Sequence, residues 1–192
     1  MAGARDTKAR RRTAAIVVSA VAAMVGASYA AVPLYRMFCA ATGYGGKTLD
    51  ASSGPARRGA RNFTVAFDSD VAGALPLEVA AETAHVAVRD GATTTVYYRF
   101  TNRTDRAVWA MASDNVAPDV AGAYFEKLKC FCTSVQRFAP GESRELPVVF
   151  YLDTALESDE SMAGVSTLTL HYTLYPASPS QIASAKAAGA GS

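Results

Sequence analysis

Residues 13–35, TAAIVVSAVAAMVGASYAAVPLY, form an apolar run without a charge, and the next charge is Arg36. A membrane-spanning helix needs roughly 20 apolar residues, so this run predicts one transmembrane helix. Beyond it the pattern changes from a run to an alternation. The stretches NFTVAFDSDV from Asn62, PLEVAAE from Pro76, HVAVRDG from His85 and TTTVYYRFTN from Thr93 alternate apolar with polar or small residues. AVWAMASDNV from Ala107, RELPVVFYLD from Arg144 and VSTLTLHYTLYP from Val165 continue it, and Gly, Pro, Asn and Asp punctuate the series. A period of two marks a strand with one buried face. About seven such strands predict an all-β fold, an immunoglobulin-like β-sandwich of antiparallel strands preceded by the membrane helix. After Tyr35 no long segment repeats at helical spacing, and no internal repeat is found.

This patterning divides the chain. Residues 1–12 form a basic N-terminus, 13–35 the transmembrane helix, and 36–61 a juxtamembrane segment and linker rich in Gly, Ser and basic residues. Residues 62–176 form the sandwich, and 177–192, with little apolar content, a disordered tail. The stretch ARRGAR within the linker reads as solvated, with contact to anionic headgroups as the competing account.

Charge orients this arrangement. Arg5, Lys8, Arg10, Arg11 and Arg12 precede the apolar run with one acid, Asp6. The positive-inside rule places that end in the cytoplasm and everything after Arg36 across the membrane. A cleaved signal peptide has the same basic start and apolar middle, and Ser28–Ala30 would serve as its small-residue cleavage site. Both readings export the domain. Outside the first twelve residues Lys and Arg total 14 and Asp and Glu 16, which leaves no basic footprint for nucleic acid.

The chain has three cysteines, and two stand one residue apart in KLKCFCTSVQ, residues 127–136. If Cys130–Cys132 is extended, both sulfurs share a face and Phe131 points into the opposite layer. Two thiolates on one face suit a soft ion, and copper(I) accepts as few as two or three ligands. Zinc would want four, and His85 and His171 are not spaced with the pair in a zinc pattern. Lys127 and Lys129 add positive potential that favours thiolates and offsets the negative charge of a two-thiolate copper(I) centre. A disulfide within the pair would close a small ring and fits poorly. Thiol–disulfide exchange and a purely structural role remain open beside the metal site. Cys39 follows the membrane segment and could complete a three-thiolate site or stand apart. Met111, Met162 and Trp109 read as core, His85 and His171 as surface or satisfied residues. Asp114, Asn115 and Glu126 could rim a docking surface.

Three blocks carry a family resemblance: VPLYRMFCAATGYGG at 32–46, NVAPDVAGAYFEKLKCFCTSVQRFAPGESRELPVVFYLD at 115–153, and STLTLHYTLYP at 166–176. With these the chain resembles the CtaG-type copper chaperones of cytochrome c oxidase assembly, from the membrane segment to about Pro176. The family usually has an aromatic residue after the second cysteine, where this chain has Thr133. The resemblance implies a single-pass inner-membrane protein with its N-terminus cytoplasmic and an immunoglobulin-like domain in the periplasm. It implies copper(I) bound by Cys130 and Cys132 and handed to the copper B centre in oxidase subunit I. It also implies an upstream copper donor, a homodimer with copper near its interface, and a needed role for Cys39. The reading is of a carrier and not an enzyme. The alternatives are a thiol–disulfide reductant and an assembly factor that carries no metal.

Overall fold

The computed structural model describes residues 3–42 and 48–188. The chain divides into two units, residues 1–39 and 40–192.

The first unit is the helix α1, Gly3–Thr42. It is longer than expected at both ends, taking in the basic residues before position 13 and the stretch after Tyr35. Within it Arg10–Cys39 is long and apolar enough to cross a membrane. Its large side chains, among them Ile16, Val18, Met24 and Leu34, are exposed, as suits a helix solvated by lipid. Cys39 lies in its last turn, half-buried and unbonded.

The second unit has ten strands: β1 Leu49–Asp50, β2 Asn62–Val71, β3 Glu78–Ala81, β4 His85–Arg89, β5 Thr94–Thr101, β6 Val108–Ala117, β7 Phe125–Lys129, β8 Gln136–Phe138, β9 Ser143–Leu152 and β10 Thr167–Pro176. They form two five-stranded sheets, ordered β1-β7-β9-β5-β3 and β4-β2-β10-β6-β8. The seven alternating stretches of the sequence are β2, β3, β4, β5, β6, β9 and β10. Inward positions of β5 are Val96, Tyr98 and Phe100, and those of β10 are Leu168, Leu170, Tyr172 and Leu174, all buried. The two inner faces make one core.

The structure corrects the sequence reading in several places. The sheets are mixed: β10 pairs in parallel with β2, and β1 in parallel with β7. β1, β7 and β8 were not foreseen; β1 and β8 are too short for alternation to register, and β7 carries a charged residue, Lys127, at an inward position.

The described part of the linker is a strap bound to the domain. Residues 43–47 lie outside the described residues. From Thr48 onward, β1 joins β7 and Ala51 N–H donates to the Lys127 carbonyl at 2.7 Å. Gly59 N–H donates to the Asp90 carbonyl at 3.0 Å, and the Arg61 guanidinium reaches the carbonyls of Met162 and Val165 at 2.8 Å. Polar composition suggested solvent, but these groups satisfy backbone atoms that the sandwich leaves open. Arg57 stands 3.8 Å from Glu157, so one cation of ARRGAR already faces a carboxylate.

The tail also has order. Ser178 and Gln181 form a reciprocal capping box that starts the helix α2, Pro179–Ala187. Residues 189–192 lie outside the described residues. Trp109 is not core: it sits half-buried on the outer face of β6, with Lys186 Nζ of α2 5.8 Å from its ring centre.

The strap lies close against the turn between β4 and β5, and a Cβ on Gly59 would run into the Asp90 carboxylate. Gly91 has φ +63°, and a Cβ built there would run into the carbonyl oxygen of Arg57. Gly141, with φ +68°, has open space around the same position. Gly141→Ala is expected to cost about 1 kcal/mol for its backbone, and Gly91→Ala about 3 kcal/mol because the strap must also move. Urea denaturation of the two variants checks the difference.

Candidate metal and thiol site

The cysteines lie where the chain crosses between sheets. β7 belongs to one sheet and β8 to the other, and the six residues between them make the crossing. A register shift between Lys127 and Lys129 ends the regular pairing of β7 with β9. Such bulges redirect side chains at the end of a ladder. Cys130 keeps extended dihedrals, φ −145° and ψ 141°, and Phe131–Thr133 then form one 3-10 turn. The expected extended Cys130–Cys132 stretch is therefore a strand end followed by a turn.

Phe131 fixes the turn. It is 5% exposed, with its ring centre 4.9 Å from Phe100, 5.5 Å from Tyr98 and 4.7 Å from Tyr172. Burying such a ring contributes about 1.5–3 kcal/mol. Gln136 holds the other side, its Nε2 donating to the Phe131 carbonyl at 3.3 Å and to Ser134 Oγ at 2.9 Å. Thr133 donates its hydroxyl to the Cys130 carbonyl at 3.1 Å. Its side chain closes the turn instead of packing in the core.

With Phe131 inward, the flanking sulfurs converge. They are bonded to each other in this structure, with Cα atoms 5.2 Å apart. The sequence reading judged that bond a poor fit. The turn makes it possible by folding the Cys132 backbone back, so that its N–H lies 3.1 Å from Cys130 Sγ.

The two sulfurs have unlike surroundings. Cys130 is 9% exposed, and its Sγ lies 3.1 Å from the hydroxyl of Tyr172, itself fully buried. Burial pushes the Tyr172 phenol well above its ordinary pKa, and the nearby Asp114 pushes the same way. The hydroxyl therefore stays a proton donor at physiological pH. Tyr98, against Tyr172 at 5.2 Å, is raised by the same main cause, and its buried hydroxyl has no hydrogen-bond partner. Cys132 is more open and lines a cavity of about 340 Å³.

That cavity is built from several elements. The strap contributes Thr48 and Asp50, β6 contributes Met111 and Asp114, β7 contributes Lys127, and α2 contributes Gln181. Lys127 is 5% exposed; its Nζ lies 2.8 Å from Asp114 Oδ1 and 3.6 Å from Asp50, and donates to Cys132 Sγ at 3.4 Å. Thr48 donates its hydroxyl to the other Asp114 oxygen. Lys129 is exposed. Of the two lysines, only Lys127 reaches the pair.

Other expectations fall unevenly. Asp114 is buried and paired rather than part of a docking rim. Met162 is fully buried, as expected, but Met111 is half-buried beside the cavity and accepts from Gln181 Nε2 at 2.9 Å. His85 is exposed; His171 stands 3.5 Å from both Asp68 and Asp70. Cys39 belongs to the other unit. Among the described residues no group of three or more His, Cys, Asp or Glu side chains could hold a metal ion. Sequence reasoning missed Thr48 and Tyr172 at the site. Parity in β6 carried a signal for Asp114, which shares the inward positions with Val108, Ala110, Ala112 and Val116. A carboxylate there needs a buried partner.

Comparison with known proteins places these features in one group. The sequence model of the family described as "Cytochrome c oxidase assembly protein CtaG/Cox11" matches residues 31–176. A CtaG cytochrome c oxidase assembly protein of Bradyrhizobium diazoefficiens is 49% identical over 164 residues, 85% of this chain and 77% of that protein. Its counterpart in Xanthobacter autotrophicus is 43% identical over 189 residues, 97% and 93% of the two chains. One in Brucella ovis is 40% identical over 191 residues, 97% and 95%.

The buried ion pair makes a testable demand. Lys127→Met leaves Asp114 charged in the interior and is expected to cost about 3 kcal/mol or more. Adding Asp114→Asn should recover most of that loss, because the orphaned charge disappears. Thermal unfolding of the single and double variants gives the comparison.

Proposed function

We propose that this chain, which belongs to the CtaG/Cox11 family of cytochrome c oxidase assembly proteins, carries copper(I) on Cys130 and Cys132 to the copper B centre of oxidase subunit I. The observation that carries this reading is the convergence of two sulfurs, Cys130 buried and Cys132 lining a cavity with the Lys127 ammonium beside it. Thiolates are soft donors, and copper(I) accepts few ligands. Two thiolates and copper(I) leave one net negative charge, and Lys127, also paired with Asp114, donates a hydrogen bond to the Cys132 sulfur. The family membership supplies the oxidase as client.

The bond between the sulfurs must first accept two electrons, because the ligands are thiolates. Loaded copper would then face the cavity through Cys132, where an incoming imidazole or thiolate can join it before either sulfur leaves. The chain would exchange coordination bonds to its cargo and transform no substrate, so this is ligand exchange by a carrier and not turnover by an enzyme. α1, with its basic flank in the cytoplasm, would hold the domain on the periplasmic side of the inner membrane. Tethering to the client's own membrane raises the effective concentration for transfer. Cys39, at the end of α1, would serve as an extra thiol ligand or in redox control of the pair. An upstream copper donor and a homodimer complete the proposal. The bonded pair favours one second reading, thiol–disulfide exchange with another copper protein.

Copper stoichiometry separates the two. Full-length protein, reduced and loaded with copper(I) under anaerobic conditions, should keep about one copper per cysteine pair after gel filtration. The Cys130→Ser/Cys132→Ser variant should keep none while its near-ultraviolet circular dichroism is unchanged. Copper retained by the double variant, or absent from the wild type, would refute the site assignment.

A further inference from the structure

The two sulfurs differ in what surrounds them, and that difference bears on how the pair is reduced. Thiol–disulfide exchange requires a thiolate to approach one sulfur in line with the bond being broken, so access decides which sulfur is attacked. Cys130 Sγ is enclosed: its residue is 9% exposed, the Tyr172 hydroxyl stands 3.1 Å away, and Tyr172 and Phe131 are both buried beside it. Cys132 lines the cavity, where its sulfur accepts from Lys127 Nζ at 3.4 Å, the lysine being paired in turn with Asp114. The same cavity wall holds Thr133 and Ser113.

We propose that the pair is the target of a dithiol reductant that attacks only Cys132, with Cys130 as the leaving sulfur. The inference rests on the reading of Cys130 and Cys132 as a working thiol site. In the first step a thiolate of the reductant bonds to Cys132 Sγ. The bond between Cys132 and Cys130 breaks, and its electron pair stays on Cys130 Sγ. The departing sulfur is already supplied with donors, the Cys132 N–H at 3.1 Å and the Tyr172 hydroxyl at 3.1 Å. In the second step the reductant's other thiol loses its proton and attacks the reductant sulfur of the mixed disulfide. Cys132 leaves as a thiolate, and the reductant departs oxidised. Two electrons enter the chain, and the reductant's two protons pass to solvent or to the new thiols. Cys130, never bonded to the reductant, remains seated against Tyr172 throughout.

The order of reactivity is measurable without copper, so its failure would leave the carrier reading standing, and the reverse also holds. Full-length protein in detergent, with its cysteine pair oxidised, is exposed briefly to reduced glutathione. It is then quenched with acid, alkylated and digested. Fragmentation of the peptide spanning residues 130–137 should find glutathione on Cys132 and the alkyl group on Cys130, in at least about tenfold excess over the reverse. A second measurement avoids rearrangement of the adduct. In a Cys39→Ser background, Cys130→Ser leaves only Cys132 and Cys132→Ser leaves only Cys130. With an aromatic disulfide as probe, the Cys132 thiol should react at least about tenfold faster in the folded protein. The two rates should converge in denaturant. Equal adducts on the two sulfurs, a majority on Cys130, or equal rates in the folded protein would overturn the proposal.

Discussion

Phe131 is driven into an aromatic cluster with Tyr98, Phe100 and Tyr172, and that burial positions everything else at the site. Cys130 is buried beside it in the same core, and Cys132, partly buried, packs against that core. The 3-10 turn that carries Phe131 inward brings Cys132 back over Cys130. Two sulfurs meet at the rim as a result, one against Tyr172 and the other at the cavity. The cluster draws on β5 and β10, so the sulfur geometry depends on both sheets being packed together. A core side chain between two reactive ones ties the state of the site to the folding of the domain.

A second constraint is the buried pair of Lys127 and Asp114. Neither charge is stable alone in the interior, and each has a further partner in the strap, Asp50 for the lysine and Thr48 for the aspartate. The strap thereby becomes part of the site. A fragment starting near Arg61, which a flexible linker would have allowed, loses β1 and the Thr48 hydroxyl. The family match beginning at residue 31 includes this strap, while α2 lies beyond the match's end at 176 and still supplies Gln181 to the cavity.

Much of this was legible in the sequence. Long strands announced themselves because a half-buried sheet forces a period of two, and β2, β5, β6, β9 and β10 are eight to ten residues long. That Phe131 turns inward was legible from spacing, but the strand end and 3-10 turn that carry it were not. What could not be read depended on partners distant in sequence. Thr48 meets Asp114 across 66 positions, and Cys130 meets Tyr172 across 42. The parallel pairing of β2 with β10 joins strands about a hundred residues apart, which no local pattern encodes. Lys127 and Lys129 looked equivalent in sequence, and the register shift between them sends one into the cavity wall and leaves the other exposed. The strap and α2 were misread because polar composition describes solvent preference and not the backbone hydrogen bonds that hold them.

The central claim is that the Cys130 and Cys132 sulfurs carry the copper that reaches the oxidase. The most direct measurement is the copper B content of oxidase purified from cells whose only copy of this chain is Cys130→Ser/Cys132→Ser, expressed at the wild-type level. The account predicts subunit I that is assembled but depleted of copper B. Full copper B occupancy in those cells would contradict it.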